Sequence, residues 1–65
     1  MNGDWFACAE MMPDDGIAVM TFSPDSSDPV WPGFHGDDGW YDIMNGVLFS
    51  LPVTHWQHFP EPPEV

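Results

Sequence analysis

No Lys or Arg occurs anywhere in this chain, so its eleven Asp and Glu residues have only His35, His55 and His58 to moderate them. Any fold open to it must keep its carboxylates in water. At a formal charge of -11 the compact state repels itself, and a surface of that kind asks for a cause: solubility, life at high salt, or a strongly basic partner. A domain of average composition is about a quarter charged, with both signs present, which would place roughly eight bases here. A strongly basic partner is the expected cause.

Size sets the next limit. A chain of about 60 residues buries only about 60% of its unfolded surface and sits near the lower limit for unaided folding, so residues 1–65 form one domain. Its core must be aromatic: Trp5, Trp31, Trp40, Trp56, Tyr41 and the five Phe residues can each bury on the order of 150–250 Å². A hydrophobic share of 43% is too high for the disordered class. Cys8 is the single cysteine, which excludes an internal disulfide and disfavours a secreted mini-protein, leaving the cytosol as the expected compartment. Met1–Asp4 lacks the charged and apolar regions of a signal peptide, and no run reaches the roughly 20 apolar residues of a membrane span. Anionic lipid would repel the chain. DNA and RNA are excluded as direct ligands, there being no cation to displace their counterions. A monomer is expected.

Along the chain, Trp5, Cys8, Ala9 and Met12 share one face of a short helical rhythm with Asp4 as N-cap, and Pro13 ends it. After the turn Asp14-Asp15-Gly16, Ile17 to Phe22 reads as a buried strand. Ser23 to Pro29 has loop composition. Val30 to His35 is a strand that Pro32 and Gly33 demote to an edge or a bulge. Gly36 to Gly39 is a tight turn. Trp40 to Met44 alternates, Asn45-Gly46 is a hairpin signal, and Val47 to Leu51 returns. Pro52 interrupts, Val53 to Phe59 is extended, and residues 60–65 form a polyproline-like tail. The sum is an α+β fold, mainly β: a small antiparallel sheet of three to four strands with one short amino-terminal helix or helical turn.

Val53-Thr54-His55-Trp56 followed by Pro60-Glu61-Pro62-Pro63 resembles the closing signature, V-T-H-W-x-x-x-P-x-P-P, of a small phage and prophage domain of unknown function. Trp5, Met12-Pro13, Ala18-Val19-Met20 and Gly39-Trp40-Tyr41-Asp42 match its earlier positions, so the resemblance runs from Trp5 to Pro63. The chain departs from it in lacking the usual basic residues, in Gln57-His58-Phe59, and in the longer loop around Ser23 to Pro29. The resemblance implies a mobile-element origin and a fold, not a mechanism. Taken with size and acidity, the chain is similar to the small acidic anti-CRISPR inhibitors of type I systems, type I-C in particular. Such an inhibitor would dock on the basic DNA path of the surveillance complex, Cascade, as a DNA mimic. The alternative is an acidic phage accessory protein that mimics DNA toward another basic target, such as a restriction enzyme or nucleoid protein.

The residues expected to carry the interaction are Asp25, Asp28, Asp37, Asp38 and Asp42, with Asp14, Asp15 and Glu10 as a second patch. Turn chemistry accounts for Asp at any one of these positions, but not for the absence of every base. A halophile's surface would look the same. A calcium site on Asp37, Asp38 and Asp42 fails the EF-hand spacing. His55 and His58, three apart on a strand, point to opposite faces and cannot share zinc with Cys8; His55 is expected to be hydrogen-bonded beside Trp56. No metal or other cofactor is expected. Nor is enzymatic activity: nothing cationic lies near Cys8 to stabilise a thiolate, the adjacent pairs Asp14-Asp15 and Asp37-Asp38 diverge on extended backbone, and no phosphate-binding loop or lysine exists. Pro60 to Pro63 fits P-x-x-P without the usual basic anchor.

Overall fold

The computed structural model describes residues 5–60, and the candidate N-cap Asp4 and the tail beyond Pro60 lie outside them. Five strands form one antiparallel sheet: β1 (Phe6–Ala7), β2 (Val19–Phe22), β3 (Val30–Gly36), β4 (Gly39–Asp42) and β5 (His55–Gln57), in the order β1-β5-β2-β3-β4. The fold is therefore all-β, and the expected α+β class with its helical turn is corrected: no helix occurs among the described residues. Consequently none is long and apolar enough to cross a membrane.

The helix fails for a physical reason. The helical rhythm runs only from Trp5 to Met12, where Pro13 ends it, and a stretch that short is well below the roughly 12–15 residues at which an isolated helix becomes even marginal. The backbone finds better partners in β5, with Phe6 opposite Trp56, Ala7 opposite His55, and Cys8 N–H donating to the Thr54 carbonyl at 2.9 Å. What remains of the helical rhythm is one turn, in which Glu10 and Met11 N–H both donate to the Ala7 carbonyl.

Pro32 does not demote β3, which lies inside the sheet between β2 and β4. A strand residue's N–H and C=O face the same side, and the Pro32 carbonyl faces Ile43 N–H at 3.4 Å, just past the end of β4. The donor that proline lacks is thus missing where the neighbouring strand has already stopped. The expected hairpin after β4 shrinks to one bridge, Tyr41 with Leu48, in place of a strand over Val47 to Leu51, and its connection is wider than a two-residue Asn45-Gly46 turn. Asp42 N–H donates to the Val47 carbonyl at 2.8 Å, Gly46 N–H to the Asp42 carbonyl at 2.7 Å, and Gly46 takes φ 72°, a left-handed conformation that glycine adopts without penalty. Asp42 Oδ1 and Asn45 Oδ1 accept from Met44 and Val47 N–H at 2.7 and 2.9 Å.

Register partners share a face, which divides the sheet. One face carries Phe6, Val19, Thr21, Trp31, Gly33, Trp40, Asp42 and Trp56 and holds the core: Val19 and Thr21 are 0% exposed and Trp56 2%. Thr21 is tolerated there because its hydroxyl donates to the Trp31 carbonyl at 2.8 Å. Trp56 stacks at a tilt on Phe6 at 4.8 Å and its indole N–H donates to the Met11 carbonyl at 2.8 Å. The opposite face, with Met20, Phe22, Pro32, Phe34, Tyr41 and His55, is half-buried, and Val30 there is exposed. Phe34 and Tyr41 stack at 5.2 Å.

Candidate functional site

The sheet's dimensions decide how the acidic side chains are grouped. β3 has seven residues, which at about 3.3 Å each separates its ends by roughly 20 Å. Asp37 and Asp38 follow its carboxy end, whereas Asp25 and Asp28 precede its amino end. Asp37 and Asp38 therefore stand at one end of the molecule and Asp25 and Asp28 at the other, while Asp42, opposite Gly33, lies level with the middle of β3. Asp14 and Asp15 join the Asp37–Asp38 end, because Gly16 N–H donates to the His35 carbonyl at 2.8 Å and Asp15 Oδ1 lies 3.0 Å from His35 Nδ1. Asp42 closes β4 and lines a pocket together with Asp28. Glu10 stands apart in the turn after β1. All of these except the half-buried Asp42 are exposed.

At the first end, the Tyr41 hydroxyl donates to Asp38 Oδ2 at 3.4 Å. Burial against its neighbours and then the charges of Asp38 and Asp37 push the Tyr41 phenol above its ordinary value. The tyrosine stays neutral at physiological pH and presents a flat ring beside the carboxylates.

At the other end, a pocket of about 220 Å³ is lined by Ser23, Ser26, Asp28, Trp31, Asp42, Phe49, Ser50 and Leu51. The loop after β2 is drawn over it by Ser26 N–H donating to the Ser23 carbonyl at 3.0 Å and Asp28 N–H to Ser26 Oγ at 3.1 Å. The segment after the hairpin is held against β4 by Phe49 N–H donating to the Trp40 carbonyl at 2.9 Å. Trp31 Nε1 is buried and has no hydrogen-bond partner among the described residues. Nothing in the sequence marks this pocket, since its lining comes from three separate segments and its serines lie in stretches that read only as loop.

His55 and His58 do lie on opposite faces. His55 packs edge-on to Phe22 at 5.9 Å and its Nδ1 lies 2.8 Å from Thr54 Oγ1, while His58 meets Trp56 edge-on at 4.9 Å. No group of three metal-ligating side chains occurs among the described residues. Cys8 is half-buried, and burial pushes its thiol above the ordinary value against a smaller opposing pull from a backbone hydrogen bond. Less thiolate forms at neutral pH as a result. Alkylation of Cys8 by iodoacetamide at neutral pH is expected to be slower in the folded protein than in urea; equal rates would show that burial does not protect it.

The chain is similar to the Eaa protein of Salmonella phage P22, with 32% identity over 65 aligned positions that cover 94% of this chain and 20% of the phage protein. It thus spans about a fifth of the length of the curated relative it matches. No solved structure matches it. Through residues 4–64, the chain belongs to the family described as protein of unknown function (DUF551), a small domain shared with this phage protein.

Proposed function

We propose that this domain is a phage-encoded, non-enzymatic inhibitor that docks its acidic ends on the basic DNA path of a CRISPR type I surveillance complex and competes with target DNA. One observation carries the reading: two groups of carboxylates stand at opposite ends of one sheet in a chain without a single Lys or Arg to neutralise them. A basic partner would supply the cations that the chain lacks. The first group is Asp14, Asp15, Asp37 and Asp38, and the second is Asp25 and Asp28, with Asp42 between the two and sharing a pocket with Asp28. A duplex places one charge per about 1.7 Å of axis, so roughly 20 Å of it carries about a dozen phosphates. The protein's array is sparser and in two clusters. That pattern suits discrete cationic positions along a DNA path better than a continuous copy of the duplex.

Competition tests this directly. Purified surveillance complex should lose its labelled target duplex when the wild-type chain is added, and should lose much less of it to a variant carrying Asp25→Lys, Asp37→Lys and Asp38→Lys. Inhibition is expected to fall by at least about tenfold, since each charge-assisted contact replaced by repulsion costs on the order of 1 kcal/mol or more. Raising salt toward 1 M, where screening acts within about 3 Å, should also release the inhibitor. A folded variant that inhibits at full strength overturns the electrostatic basis. If the wild-type chain leaves DNA binding untouched, the CRISPR target is wrong, and pull-down from host lysate would then point to a restriction enzyme or a nucleoid protein.

A further inference from the structure

We propose that two copies of this domain pair through the open face of the sheet, as a weak two-fold dimer that salt strengthens. The inference goes beyond the reading of the domain as a binder of basic proteins and stands on a different surface, the face that carries no carboxylate.

An antiparallel sheet that packs one face on a core ordinarily shows polar side chains to water on the other. This sheet does not. Its core lies against the face of Val19, Thr21 and Trp56, while the opposite face presents Met20, Phe22, Val30, Pro32, Phe34 and Tyr41. Leu48 joins that face opposite Tyr41, and β5 adds His55 and Gln57. Of the chain's eleven acidic residues, Asp42 is the one that stands within a strand among the described residues, and it belongs to the core face, opposite Gly33. Asp38 reaches only the rim, where it accepts from the Tyr41 hydroxyl. Val30 and Leu48 are 44% and 45% exposed, and a hollow of about 320 Å³ lies on the same face, lined by Trp5, Phe22, Val30 and His55. An exposed apolar patch of a few hundred Å² marks an interaction site.

Charge selects the occupant. The basic partner proposed above would set its cations against a face with no carboxylate to receive them. The face suits a neutral, apolar surface, and the chain itself carries one. In a two-fold pairing both copies offer the same patch, so the patch must suit itself: a charged one repels its copy, whereas this one has no carboxylate to oppose. Phe34 and Tyr41, stacked within 9° of parallel, give it a flat centre. The carboxylates at the ends of the sheet stay in water when the faces meet. They still repel across the pair, which limits affinity. Area limits it too, because five strands about 4.8 Å apart and a β3 about 20 Å long offer on the order of 500 Å² per copy. A dimer then buries about 1,000 Å² in all, below the standard size and in the weak class. The expected monomer is the species at low salt and low concentration.

Sedimentation equilibrium of the whole chain tests this. Between about 0.01 M and 1 M NaCl the screening length falls from about 30 to 3 Å, and the dimer's dissociation constant should fall at least about tenfold. Docking on a cationic DNA path responds in the opposite direction, so the two readings fail separately. Val30→Lys should be monomeric at every salt concentration, since pairing would bury its ammonium with no carboxylate beside it. Glu10→Lys also adds a cation, but in the turn that the Trp56 indole ties to the core side, and it should dimerise at least as strongly as the wild type. In about 1 M NaCl, concentrating the wild-type chain should shift the methyl signals of Val30 and Leu48 and leave those of the buried Val19 in place. A wild type that stays monomeric at millimolar concentration in high salt overturns the proposal and leaves the face to a different protein. Association that weakens with salt, or a folded Val30→Lys variant that still dimerises, overturns it as well. Should Val30→Lys fail to fold, the methyl shifts decide: movement at Val30 and Leu48 supports the pairing, and movement confined to other residues rejects it.

Discussion

The Trp56→Ala variant is expected to be unfolded at 25 °C. Trp56 is 2% exposed, lies opposite both Phe6 and Thr21, and ties the loop before β2 to the sheet through the Met11 carbonyl. Truncating a buried Trp costs about 3–5 kcal/mol, and a core in a chain this small rarely supplies more than about 3–5 kcal/mol of net stability. Trp56→Phe separates packing from hydrogen bonding. It keeps a ring on Phe6 and loses one bond whose acceptor belongs to the exposed Met11 and can turn to water, a cost of about 1 kcal/mol. Far-UV circular dichroism and urea titration distinguish the variants. A native, cooperatively melting Trp56→Ala protein would show that β5 is not held by its indole.

Gly33→Ala should cost about 1–3 kcal/mol, the usual range for overpacking. A Cβ at Gly33 would meet the Tyr41 backbone oxygen at 2.6 Å and Phe49 Cε2 at 2.9 Å. The phenyl ring can move, but the carbonyl is fixed where β4 pairs with β3. At about 4–8 °C per kcal/mol for a domain of this size, the melting temperature should fall by roughly 4–24 °C. Gly36→Ala is the matched control, because the nearest atoms there belong to the Tyr41 ring, at 3.0 Å and beyond, which can swing outward. Equal losses at the two positions would mean that the strand tolerates no side chain at either, and that the close approach at Gly33 is not the cause.

The strands were legible in the sequence where a short apolar run is bounded by turn residues. Val19–Phe22 lies inside the expected Ile17 to Phe22, and Val30–Gly36 extends the expected strand by one residue. The amino-terminal segment was not legible, because a helical spacing of Trp5, Cys8, Ala9 and Met12 says nothing of the strand fifty positions away that competes for the same backbone. Pro32 misled for a related reason: whether its missing N–H matters depends on where the neighbouring strand ends. Of the candidate site, exposure followed from residue type, since uncompensated carboxylates have nowhere to go but water. Their grouping did not, because it is set by the length of β3 and by a contact between Asp15 and His35. The pocket lined by Asp28 and Asp42 comes wholly from tertiary structure.

The position of β5 between β1 and β2 governs when the molecule can be finished. The meander β2–β3–β4 is joined by short connections and can zip up locally, but among the described residues β1 pairs only with β5, the last of the five strands in chain order. Contacts so distant in sequence are slow to close. On the ribosome, the strand β1 therefore waits unpaired until β5 has emerged, and completion of the sheet comes as a single late event in which one three-residue segment slots into a gap between β1 and β2.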